Sequence, residues 1–97
     1  MHVVVSYDVM TSSDGGQKRL RHVAKICKNH GQRVQFSVFE CQLDWAQYLV
    51  FKDQVLKALD LEQDSIRFYL LGNKSDTKIE HCGVKSSRNL EKDTLFL

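Results

Sequence analysis

The apolar residues of this chain switch between two periods, and the order of the switches limits the fold more than any other feature. His2 to Met10 opens with a β-branched run and continues as alternation, with Val3, Val5, Tyr7 and Val9 on one face, which predicts a central strand. From Gln17 to Asn29 the spacing turns helical: Leu20, Val23, Ala24 and Cys27 share one side, and Arg21, Lys25 and Lys28 the other. Thr11, Ser12, Ser13, Asp14, Gly15 and Gly16 form the loop between them and supply several candidate helix caps; Gly31 stands where a left-handed C-terminal cap is expected. Arg33 to Leu43 alternates again, with Val34, Phe36 and Val38 against Arg33, Gln35, Ser37 and Phe39, and on pattern alone it reads as one long strand. Asp44 predicts the cap of a second helix through Leu59, whose inward row is Tyr48, Phe51, Val55 and Leu59, with Trp45 as a packing residue at its start. Ser65 to Leu71 alternates Ile66, Phe68 and Leu70 with Arg67 and Tyr69, and a polar turn, Gly72 to Asp76, leads to a short strand around Lys78 to Cys82.

Strand, helix, one or two strands, helix, two strands is the order of a ferredoxin-like α+β sandwich. The 97 residues suffice for one domain, placed at 1–82, and residues 83–97 form a tail. The tail is polar until Thr94, Leu95, Phe96 and Leu97, an apolar end predicted to dock as an edge strand, on its own protomer or on a partner. A domain this small buries a modest share of its surface, so pairing as a homodimer is expected. No segment approaches a membrane span and the N-terminus enters a strand instead of a signal sequence, so no membrane partner and a cytoplasmic location are expected. Cys27, Cys41 and Cys82 show neither a disulfide framework nor zinc-ligand spacing and read as buried reduced thiols.

The net charge of +2 conceals a segregation. Between Gly15 and Phe39 there are six cations (Lys18, Arg19, Arg21, Lys25, Lys28, Arg33), two histidines and no acid. The rest of the chain, with 8 Lys and Arg against 12 Asp and Glu, carries −4. A one-sided basic patch on a near-neutral chain is the footprint of a polyanion partner, because each cation that meets a phosphate releases a condensed counterion. Nucleic acid is therefore the expected partner, met by these six residues.

Asp8 ends the first strand, where sheets of this kind tend to place ligand-facing groups. A lone Asp there serves equally well as a cap for the following loop. A divalent ion on phosphate needs more than one carboxylate, and a two-fold axis would supply it by bringing Asp8 of each protomer to one magnesium or manganese ion. Arginines suit the charge that develops on phosphate during hydrolysis, because a guanidinium offers a planar fork of donors. Phe39 is either an apolar dimer contact or a base-stacking ring, and Tyr7 and Tyr69 point to core or interface roles.

The three pieces VVVSYDV, KRLRHVAKICKNHGQRVQFSVFEC and DSIRFYLLG, in this order, resemble the CRISPR-associated endoribonuclease family, the small dimeric partner of the spacer-acquisition integrase. The resemblance covers nearly the whole chain. It implies a ferredoxin-like homodimer, a break of the 33–43 strand near Phe36 to Val38, and a shared magnesium or manganese site at Asp8. It also matches Tyr7, Arg19, Arg21, Arg33 and Phe39 to the family's other functional positions. The implied activity is metal-dependent cleavage of RNA or double-stranded DNA. The alternative is a non-catalytic scaffold that holds DNA between integrase dimers.

Overall fold

A computed structural model describes residues 1–72 and 77–84. In chain order its elements are β1 (His2–Asp8), α1 (Gly16–His30), β2 (Gly31–Gln35), β3 (Val38–Gln42), α2 (Trp45–Ala58), β4 (Ser65–Leu71) and β5 (Lys78–Gly83). The strands form one antiparallel sheet in the order β2, β3, β1, β4, β5, with the β-branched β1 at its centre. Four strands and two helices make the ferredoxin-like arrangement, and β5 widens it beyond β4. The core joins Val3, Val5 and Tyr7, Phe39 and Cys41, and Ile66, Phe68 and Leu70 to Val23 and Cys27 of α1 and Tyr48, Phe51 and Val55 of α2. The strand residues in that set alternate, so both helices cover a single face of the sheet. The opposite face carries Val4, Ser6, Val38, Glu40, Arg67 and Tyr69, which are only partly buried among the described residues.

The second helix follows the sequence closely. Asp44 accepts from the Gln47 amide at 2.7 Å while the Gln47 side chain accepts from the Asp44 amide at 2.8 Å, a reciprocal capping box. Loss of such a cap costs about 1 kcal/mol. Its inward row Tyr48, Phe51, Val55 and Leu59 is buried as expected. The Tyr48 hydroxyl and Lys52 Nζ both donate to Glu80 and so tie α2 to β5. Trp45 packs outside the core: it is 56% exposed and its ring is tilted against Tyr48, with ring centroids 5.5 Å apart.

The first helix and the hairpin after it depart from the pattern reading at Gly31, Phe36 and Phe39. No Ser, Thr or Asp side chain caps α1; Gly15 does so in the left-handed region at φ 77°, while the Ser13 hydroxyl donates to the Met10 carbonyl at 2.7 Å. Gly31 is extended, not left-handed, because α1 runs into β2 without an intervening residue. A Cβ at Gly31 would strike the Glu40 carbonyl oxygen and Cys41 Sγ on the paired strand, so close approach and not a turn demands the glycine. The 33–43 stretch breaks at Phe36 and Ser37, and the β2 to β3 register shifts between Arg33 and Gln35. Such a bulge adds one residue to one strand, and a slip of one exchanges the faces. Phe39, on β3 opposite Val5 of β1, is fully buried, neither a dimer contact nor a base-stacking ring, whereas Phe36, grouped by alternation with Val34 and Val38, falls in the turn and is 90% exposed.

No helix among the described residues is long and apolar enough to cross a membrane. The predicted turn at 72–76 and the docking of the 83–97 tail fall largely outside the described residues, which stop at Val84, just beyond β5.

Candidate nucleic-acid interface and acidic strand end

Lys18, Arg21, Lys25 and Lys28 recur at spacings of three and four and therefore occupy one outer face of α1, and all four are exposed. Three of them, with Arg33 arriving from β2, line an open depression of about 380 Å³ together with Ala24 and Asn29. None of the four cations at its rim forms an ion pair among the described residues. Four unneutralised charges around an open depression make a surface suited to a phosphate backbone.

Beneath Arg33 the core begins. Its guanidinium carbon lies 5.1 Å over the Phe39 ring, and Phe39 stacks on Tyr7 with centroids 6.2 Å apart. The structure thus brings Tyr7, Arg33 and Phe39 together, with only Arg33 reaching solvent. The Tyr7 hydroxyl is buried and has no hydrogen-bond partner among the described residues. Burial and the neighbouring Cys27 push its pKa up, against the opposing pull of Arg33 and Ser37, so it stays protonated at neutral pH. Burial likewise drives the Cys27 thiol up to about 12 and the Cys41 thiol up to about 11, which leaves neither as a nucleophile.

Asp8 stands apart from that cluster. Alternation turns it to the face opposite Tyr7, at the exposed end of β1 and in register with Ser65 of β4. It makes no ion pair among the described residues. No group of three or more His, Cys, Asp or Glu side chains that could hold a metal ion occurs among them either. Asp8 is an exposed carboxylate at this end of the sheet, whereas Asp64, beside its cross-strand partner Ser65, is buried.

Arg19 does not belong to the free basic face, which corrects the expectation that no acid pairs with it. Its Nε donates to Asp64 Oδ2 at 2.7 Å and its Nη2 to Asp64 Oδ1 at 3.3 Å, and the side chain is only 16% exposed. Asp64, missed from the sequence, has no exposed surface at all. Burial would raise its pKa, but Arg19 and the amides of Asp60 and Met10 outweigh burial and hold the carboxyl below its ordinary range. An Asp just before a strand normally marks a turn, and nothing local reveals a partner 45 residues earlier.

A family model described as CRISPR associated protein Cas2 matches residues 1–79. The chain is 53% identical over 96 residues to the CRISPR-associated endonuclease Cas2 of Halalkalibacterium halodurans, covering 99% of this chain and all of that protein. It is 50% identical over 97 residues to the CRISPR-associated endoribonuclease Cas2 of Chlorobaculum tepidum, each chain being covered in full. Among solved structures, Streptococcus pyogenes Cas2 at pH 6.5 superposes with a TM-score of 0.69 at 53% identity, covering 76% of this chain and 89% of that one.

Proposed function

The chain belongs to the CRISPR-associated Cas2 family, and from that premise we propose that it is a metal-dependent nuclease of the spacer-acquisition system. Its substrate is RNA or double-stranded DNA, held by the basic face of α1. The observation that carries this reading is the pairing of an unneutralised cation cluster, Arg21, Lys25, Lys28 and Arg33, with an exposed carboxylate, Asp8, in one small domain. Two relatives that align over the whole chain are described as an endonuclease and an endoribonuclease, which supports cleavage.

A single chain does not fit a divalent ion, since no group of three or more His, Cys, Asp or Glu side chains that could hold one occurs among the described residues. The proposal therefore includes a homodimer whose two-fold axis passes near the open sheet face and brings two Asp8 carboxylates together. Magnesium or manganese held by that pair would supply a Lewis acid and an acidified water. The chain's own part is to present Asp8 at the strand end, to hold the phosphate backbone through Arg21, Lys18, Lys25 and Lys28, and to offset developing negative charge with Arg33. The carboxylates must be deprotonated to bind the ion, so cleavage should weaken as pH falls.

One observation favours the second reading, a DNA-binding scaffold that bridges integrase dimers. The cation cluster does not include Asp8, so binding and cutting rest on separate groups. A nuclease assay on RNA and duplex DNA, with and without magnesium, decides between them. Cleavage by the native chain, with an Asp8→Ala chain that binds equally but does not cut, fits the enzyme. Undiminished cleavage by Asp8→Ala refutes it. A native chain that binds both substrates and cuts neither is the scaffold.

A further inference from the structure

We infer that Asp64 is a positioning residue for Asp8, and that Arg19 serves the site through Asp64 instead of by meeting phosphate. The inference rests on the reading of Asp8 as the acidic centre. Four hydrogen bonds converge on the Asp64 carboxylate: Arg19 Nε at 2.7 Å, Arg19 Nη2 at 3.3 Å, the Met10 amide at 2.9 Å and the Asp60 amide at 2.9 Å. Met10 lies two residues after Asp8, and Ser65, next to Asp64, is the cross-strand partner of Asp8. Asp64 therefore grips both chain segments that fix where Asp8 sits. Its carbonyl adds a third, accepting from the Val84 amide at 3.1 Å.

Arg19 has few donors left for a ligand. Beyond Asp64, its Nη1 donates to the Asp14 carbonyl at 3.0 Å and its Nη2 to the Ser13 hydroxyl at 3.0 Å, which fastens the β1 to α1 loop to the same point. To reach a phosphate it would have to leave a fully buried carboxylate unpaired. Arg21, two residues on, carries no such bonds among the described residues and borders the depression.

Symmetry makes the position of Asp8 critical. When one residue type supplies both halves of a site, a displacement of one strand end is repeated by its copy, and the gap between carboxylates changes by up to twice as much. Catalytic groups tolerate little of this, since a misplacement of about 1 Å can cost on the order of 100-fold in rate.

The test compares Asp64→Asn, Arg19→Gln and the double variant with the native chain on a duplex in manganese, below every melting midpoint. Each single variant is expected to lower kcat about 10-fold to 100-fold. KM, binding affinity and the slope of affinity against salt stay native, and the double variant is no worse than the poorer single one. The double variant, neutral on both sides, carries the test where a single one does not fold. A fall in affinity with a salt slope smaller by about one in Arg19→Gln, together with native kcat in Asp64→Asn, overturns the inference. Hydrogen exchange at the Met10 amide separates this from a failure of the nuclease reading. If the native chain does not cut, faster exchange in both variants still supports the clamp, and native exchange overturns it.

Discussion

Arg19 and Arg21 are two residues apart on one helix and live in different environments. Arg19 points into the corner where β1 ends, with Asp64, Ser13 and Asp14 as partners, while Arg21 stands in solvent at the rim of the basic depression. The first arrangement consumes charge to hold backbone segments in place; the second leaves charge available. A basic stretch in a sequence thus mixes two kinds of cation, and only the helical phase and the distant partner tell them apart.

The largest effect should come from the available charges. Reversing Arg21, Lys25 and Lys28 to Glu is expected to weaken nucleic-acid binding on the order of 1,000-fold at moderate salt, read by titration of a labelled duplex. The melting temperature should stay close to native, and native affinity in that variant would dissolve the contrast. Next comes the floor beneath Arg33. Phe39→Ala should cost about 3 kcal/mol or more in urea unfolding, against about 0.5 kcal/mol or less for the exposed Phe36→Ala. Equal losses would mean that the faces of the hairpin are misassigned.

The corner clamp is tested by heat. Arg19→Ala strands a buried carboxylate and should lower the melting temperature by about 10 °C, whereas Arg21→Ala should move it by about 2 °C or less. Acid gives the subtlest effect. The folded-state pKa of Asp64 lies below its unfolded value, so its contribution is present above the unfolded pKa of about 3.9 and is lost as pH falls through the lower folded pKa. Melting midpoints should therefore drop more steeply below about pH 4 in the native chain than in Asp64→Asn. Parallel curves would show that the clamp adds no acid-sensitive stability.

Most of the fold was legible because each element has its own period. β1, β4 and the inward row of α2 read directly, and the Asp44 cap announced its helix. The hairpin turn at Phe36 and Ser37 was not legible, since no Gly, Pro or Asn marks it; it leaves Phe36 in solvent while Phe39, beyond it on β3, faces the core. Only the family resemblance broke that strand in the right place. Of the candidate site, the free row of α1 and the strand-end place of Asp8 followed from spacing. The occupation of Arg19 did not, because its partner lies across the fold at Asp64 and a pair closed by tertiary contact leaves no local pattern.

With His30 ending α1 and Gly31 beginning β2, and with Gly31 pressed against Glu40 and Cys41, no joint exists at which one could swing against the other. The three helix cations and Arg33 form a stiff template whose pitch is set before any ligand arrives. A polyanion with regularly repeating phosphates can match such a template at little ordering cost. A limp acidic polypeptide of equal charge would have to freeze its own chain to do the same, and so should compete poorly for this surface.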